Sequence, residues 1–167
     1  MCNYIIPIVE TNKKYLRTGA NMEQSIARDI NETTLIMVDD SPDEIFLTRR
    51  KLRKEGIVNR FVSERKPERI FEALDELEQL GIEKKTFFIL LDVSMPKITG
   101  FETLEKIRAH PVYHDVPVVM FSASDDEEDI FQSLDMGSNG YLTKPFKVEE
   151  FFCALQSISS VKTKLMS

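Results

Sequence analysis

From Thr34 onward, short apolar runs alternate with segments whose apolar residues recur every three or four positions. Residues 35–38 read as a buried strand ending at Asp39-Asp40. Ser41-Pro42-Asp43-Glu44 follows: a capping serine, a proline at the first helical position and a glutamate at the third, which together predict a capping box. That helix is expected to reach Glu55 and stop at Gly56. Residues 57–62 read as a second strand, less apolar and nearer a sheet edge. Pro67 opens the next helix, with Ile70, Phe71, Leu74 and Leu77 on one face and Gly81 as its stop.

The most apolar strand comes next, in the stretch FFILLDVSMPKITG over residues 87–100. Five consecutive apolar residues run into Asp92 and then a Met-Pro turn, the pattern of a strand buried on both faces. Phe101, Leu104 and Ile107 line a short helix that Pro111 ends, and residues 116–121 form the next strand, leading into Ser122-Ala123-Ser124. A helix starting in the acidic run 125–129 is expected to bury Ile130, Phe131 and Leu134 and to stop at Gly137. Negative charge at a helix amino terminus suits the macrodipole, so this run reads as a favourable first turn and not as a metal site. Tyr141-Leu142 is a brief last strand, and Val148, Phe151, Phe152, Leu155 and Ile158 share one face of the final helix. Five strand-helix units in about 125 residues imply an α/β fold with a parallel sheet covered on both sides.

The segment before Thr34 carries little pattern. Residues 4–9 are apolar but interrupted by Pro7, with no basic region before them and no small-residue cleavage site after, so a signal peptide is not expected. Residues 1–33 read as an amino-terminal extension: either a docked extra strand or helix, or a reading frame whose true start is Met22. No stretch approaches the roughly 20 apolar residues of a membrane span.

Charge and cysteines narrow the setting. The formal net charge is −6. Residues 1–33 contribute none of it, since Glu10, Glu23, Asp29 and Glu32 balance Lys13, Lys14, Arg17 and Arg28. An acidic main domain disfavours direct nonspecific nucleic-acid binding. Cys2 and Cys153 form no framework and no metal spacing; a reducing cytoplasm is the simpler inference, with Cys153 as core packing. His110 and His114 flank Pro111, which argues against a helix spanning them, so they read as surface-loop histidines.

In a parallel sheet the strand carboxyl ends share one face. That face collects Asp39 and Asp40, Asp92, Ser122 and Lys144. Clustered carboxylates repel and call for a cation; oxygen ligands without His or Cys favour a hard ion, and Mg²⁺ fits. A lysine and a hydroxyl beside it supply what phosphoryl oxygens require, and Asp92 is placed to attack phosphorus as an acyl-phosphate-forming nucleophile. The competing reading of Asp92 by itself is a turn cap.

The ordered set VDDSPDE, LLDVSMPKITG, VVMFSAS and GYLTKPF resembles the receiver domain of two-component response regulators, similar in layout to chemotaxis-type (CheY-like) single-domain regulators. The resemblance covers residues 34–161, leaving 162–167 as a tail. It implies a flavodoxin-like (βα)5 doubly wound fold with strand order 2-1-3-4-5. Asp92 would be the phosphoacceptor, Asp40 a direct Mg²⁺ ligand and Asp39 mainly a water-mediated one, with Asp92 and the Ser94 backbone carbonyl completing the protein ligands. Lys144 would pair with the phosphoryl group, and its bond to Pro145 would be cis. Ser122 would bind a phosphoryl oxygen with Tyr141 swinging inward behind it, and the last two helices and last strand would form the output face. Ser94 and Ser124 occupy positions that govern phosphate lifetime in this family.

The resemblance further implies a signalling phosphoacceptor and not a metabolic enzyme, one that promotes only its own phosphorylation and dephosphorylation. Its donor would be a sensor histidine kinase or histidine phosphotransfer protein. Downstream would stand a protein target, with a phosphorylation-dependent homodimer also admitted and no membrane or nucleic-acid partner. With no output domain after the last helix, a stand-alone cytoplasmic regulator is expected, and SPDEIFLTRRKLRKEGIVNR is similar to stand-alone receivers associated with phytochrome-type kinases. A haloacid-dehalogenase-type phosphohydrolase would need a second aspartate where Ser94 stands. A flavin-binding relative would need a hydroxyl-rich phosphate loop where the acidic segment 39–44 lies. The remaining alternative is a phosphorylation-independent receiver-like interaction module.

Overall fold

The computed structural model describes residues 33–55, 60–147, 149–155 and 158. Strands β1 (Thr34–Val38), β2 (Phe61–Glu64), β3 (Phe87–Asp92), β4 (Val118–Ser122) and β5 (Gly140–Thr143) alternate with helices. These are α1 (Pro42–Lys54), α2 (Ile70–Gln79), α3 (Gly100–Ala109), α4 (Glu127–Asp135) and α5 (residues 149–155). All neighbouring strands pair in parallel in the order β2-β1-β3-β4-β5, the flavodoxin-like arrangement expected from the sequence. The expectations for residues 1–32, for the helix stop at Gly56 and residues 57–59, for Val148 and for the tail 162–167 lie outside the described residues.

Alternation along each strand sorts side chains into two cores. Ile36, Val38, Ile89, Leu91, Val118 and Met120 face α2, α3 and α4, where Ile70, Leu74, Leu104, Ile107 and Ile130 meet them. Leu35, Met37, Phe88, Leu90, Val119 and Phe121 face the other way, onto Ile45 and Leu52 of α1 and Phe151 and Leu155 of α5. The central strands therefore have no polar face, which explains why their sequences read as unbroken apolar runs.

Several elements differ from the sequence reading. β2 lies at Phe61–Glu64, further along than expected. Its register is fixed by β1, whose backbone pairs with it from Arg60 to Glu64, so polar Ser63 and Glu64 are strand residues. The edge position holds. Pro117 has no N–H to donate, and β4 begins one residue later and extends through Ser122. On α4 the inward residues are Ile130 and Ser133, while Phe131 is 69% exposed, contrary to its expected burial. One residue past Ile130 the helix has turned about 100°, which carries Phe131 away from the core. Ser133 is satisfied there by the Ile130 carbonyl and by Ser138.

The capping box expected at Ser41 and Glu44 is half formed. Glu44 N–H reaches Ser41 Oγ at 3.3 Å, but the Ser41 N–H goes to Asp39 Oδ1 at 2.8 Å. The complete box lies at Thr99 and Glu102, opening α3. His114 is an exposed turn residue, and His110, half-buried just past α3, stacks its ring on Phe71 at 4.3 Å while its Nδ1 accepts the N–H groups of Val112 and Tyr113. Cys153 is half-buried within α5. No helix among the described residues is long and apolar enough to cross a membrane.

Candidate functional site

The site forms where the strands end. Asp39 follows β1 directly, Asp92 is the last residue of β3, Ser122 the last of β4, and Lys144 follows β5. Parallel register aligns these ends: Val38 sits beside Leu91, Asp92 beside Phe121, and Ser122 beside Thr143. Asp39, Asp40 and Asp92 each place a carboxylate oxygen within 4.8 Å of the others. Asp39 and Asp92 are 1% and 5% exposed, and Asp40 is half-buried.

Lys144 Nζ bridges this cluster, 2.7 Å from Asp39 Oδ2 and 2.9 Å from Asp92 Oδ1. Its backbone is held in turn by donation from Lys144 N–H to the Ser122 carbonyl, and the Lys144–Pro145 peptide is cis. Burial pushes the Asp92 carboxyl above the usual carboxylate range, and Lys144 pulls it back only in part while Asp39 adds to the rise. Burial draws the Lys144 ammonium down, but the hydrogen bonds and charges of Asp39 and Asp92 together outweigh it and leave it above an ordinary lysine.

The donor set fits a hard divalent cation. It is made of oxygen atoms, gathered tightly enough that one lysine leaves net negative charge behind. Both oxygens of Asp39 are already engaged, Oδ1 by Ser41 and Oδ2 by Lys144, whereas Asp40 is fixed through its backbone by Arg65 Nε at 3.2 Å.

Ser122, Ser124 and Tyr141 form a second, linked group. Ser122 Oγ accepts the Ser124 N–H at 3.0 Å, and the buried Tyr141 donates its hydroxyl to the Ser124 carbonyl at 3.1 Å. Burial raises the Tyr141 phenol, a hydrogen bond with the Ser122 side chain draws it partly back, and the acidic residues 125, 126 and 129 add to the rise. Ser122 Oγ thus meets its own loop and the Tyr141 side chain, while the carboxylates and Lys144 meet one another. Ser94 is exposed on the turn after Asp92 and gives that carboxylate a backbone hydrogen bond; Ser124 is half-buried and Pro145 exposed.

Two supports of the site escaped the sequence reading. Lys97 adopts φ 73° in the turn after β3, a conformation uncommon for residues with a side chain. Gly100 donates its N–H to the Val93 carbonyl, and a Cβ built on it would stand 2.2 Å from the Asp92 carbonyl oxygen. Only glycine permits that approach. The T-x-x-E pattern at Thr99–Glu102 was the legible clue to this helix start, and it stood in the sequence. Gly100→Ala is expected to cost about 2 kcal/mol or more, because backbone and not a pliable side chain must yield. Urea unfolding would check it, and an unchanged midpoint would refute the tight approach.

A doubly wound parallel sheet with an acidic cluster and a bridging lysine at its carboxyl ends defines the class of α/β domain to which the chain is compared. A sequence model of the response regulator receiver domain matches residues 35–156, and the chain belongs to this family, whose members act in two-component signalling. Response regulator Rcp1 of Synechocystis sp. is 28% identical over 126 residues, 75% of this chain and 86% of that protein. The bacteriophytochrome response regulator AtBRR superposes with a TM-score of 0.60 at 30% identity, over 76% of this chain and 92% of that one. The chemotaxis protein CheY4 of Vibrio cholerae gives 0.58 at 25% identity, over 75% and 98%. The chain spans between 25% and 52% of the length of other relatives: the transcriptional regulator RpaA of Synechocystis sp. is 33% identical over 81 residues, 48% of this chain but 34% of that protein.

Proposed function

We propose that this chain is a Mg²⁺-dependent phosphoacceptor switch. Asp92 takes the phosphoryl group from a sensor histidine kinase or a histidine phosphotransfer protein. The observation that carries the reading is Lys144 bridging Asp39 and Asp92 beside the Asp40 carboxylate. An Asp92 carboxylate oxygen attacks phosphorus, the P–N bond to the donor imidazole breaks, and the imidazole leaves with its electron pair. Lys144 gives up part of its contact with Asp92 and pairs with a phosphoryl oxygen. Asp40, Asp92 and the Ser94 backbone carbonyl would hold Mg²⁺, with Asp39, already engaged at both oxygens, acting mainly through water. Bound there, the ion neutralises the charge that gathers between carboxylates and phosphoryl oxygens.

Ser122 turns from the Ser124 N–H to a phosphoryl oxygen, and its link to Tyr141 through Ser124 carries the change outward. The small side chains of Ser94 and Ser124 leave space for the water that later hydrolyses the acyl phosphate. The output face comprises α4, β5 and α5, and it engages a downstream protein target or a second copy when phosphorylated. Coverage of 92% of AtBRR and 86% of Rcp1 supports a single-domain regulator. The likeness to the bacteriophytochrome regulators AtBRR and RtBRR supports a phytochrome-type histidine kinase as donor, and a cytoplasmic setting follows from that relay.

Intact-mass measurement after incubation with acetyl phosphate and Mg²⁺ tests the reading. One phosphoryl adduct, lost with chelator, is expected. No adduct together with no Mg²⁺ binding by titration calorimetry would replace the switch by a phosphorylation-independent interaction module.

A further inference from the structure

We propose that Lys51 is a positioning residue for the chemistry at Asp92, acting through the loop that carries Lys144; this rests on the phosphoacceptor reading above. Lys51 lies in the last turn of α1 and is half-buried, whereas Arg50, Arg53 and Lys54 of the same basic run are exposed. Its Nζ donates to the carbonyl of Phe146 and lies 4.8 Å from the centroid of the ring of that same residue. One ammonium therefore fixes both backbone and side chain of a residue two positions after Lys144.

The ring continues the connection. Buried Phe146 meets Phe121 edge-on, with centroids 5.8 Å apart, and Lys144 Nζ lies 5.0 Å from the Phe121 centroid. Lys51, Phe146, Phe121 and Lys144 thus form a continuous stack from α1 to the carboxylate cluster. A lysine stem has four rotatable bonds, and where its tip falls depends on where its backbone is held. On one side the Lys144 backbone is held by the Ser122 carbonyl. On the other, the Phe146 carbonyl is held by Lys51. Loss of the second anchor frees Phe146 to shift, which releases the backbone two residues after Lys144 and removes the edge-on neighbour of the Phe121 ring beside the Lys144 ammonium.

Lys51→Met keeps the stem and removes the ammonium; Lys51→Arg keeps a donor that also stacks on the ring. The first readout is the Lys144 ε-methylene resonance by ¹H–¹³C NMR, which the Phe121 ring current displaces in the wild type. The second is the rate of Asp92 labelling by acetyl phosphate. In Lys51→Met the resonance is expected to move toward the position of a solvated lysine and labelling to slow about tenfold, with both near wild type in Lys51→Arg. An unmoved Lys144 resonance in Lys51→Met, whatever the labelling rate, overturns the proposal. So does a moved resonance with unchanged labelling. Should Lys51→Met fail to fold by circular dichroism, Lys51→Gln is judged by the same criteria. A wild type that takes no label and binds no Mg²⁺ would refute the phosphoacceptor reading instead, and the resonance would still decide whether Lys51 places Lys144.

Discussion

Asp92→Asn is expected to abolish phosphoryl labelling while leaving the fold in place. The amide is nearly isosteric with the carboxylate and can still accept from Lys144, but it is no nucleophile toward phosphorus. Stability follows from the charge balance. Burial holds Asp92 above the usual carboxylate range, so in cation-free buffer its contribution is most favourable at low pH and is lost as pH rises through its folded value. Asn removes that loss, along with repulsion from Asp39, and gives up a charged partner for Lys144. The two effects oppose, and the net change at neutral pH is expected within about 1 kcal/mol of zero. Urea unfolding across pH 4–8 measures this, the range being on the order of the ordinary carboxylate titration and above. Intact mass measures the labelling, and full labelling of the variant would remove Asp92 from the acceptor role.

Lys144→Ala is expected to have the larger effect on stability. It leaves Asp39 and Asp92, both almost wholly buried, facing each other without the ammonium that bridges them. Breaking a buried ion pair on one side costs about 3–5 kcal/mol, because the remaining charges are stranded. Millimolar Mg²⁺ is expected to restore much of that loss by supplying positive charge to the same oxygens, whereas it stabilises Asp92→Asn far less. Labelling by acetyl phosphate is expected to persist, slowed about a hundredfold, as for loss of one donor to a reacting oxyanion. The response is expected to vanish: amide resonances of Ser122 and Tyr141 should no longer move on phosphorylation. Movement of those resonances in the labelled variant would show that the switch does not require Lys144.

The candidate site was legible to an unusual degree because its members stand at strand ends. Asp39, Asp92 and Lys144 interrupt or follow apolar runs, and a parallel sheet must bring such ends together. That inference needed no knowledge of which side chain contacts which. The contacts themselves were beyond it. Ser41 reads as half of a capping box, yet its N–H serves Asp39, since the nearest strong acceptor in the fold outbids a flexible glutamate. Lys51 reads as one charge in a basic run, and only the arrival of Phe146 from 95 residues away gives it a partner.

By itself the sequence determined the alternation of elements, the parallel sheet and the clustering of acid and lysine at one end. Those properties follow from hydrophobic period and chain order, which are local. Tertiary structure decided the start of β2, the outward turn of Phe131 and the close passage of Gly100 under Asp92. Each depends on what lies across the fold: a neighbouring strand that sets register, a core that selects one helix face, and backbone from another turn that excludes a Cβ. Pairings of that kind are fixed by packing between distant segments, and residue spacing along the chain carries no record of them.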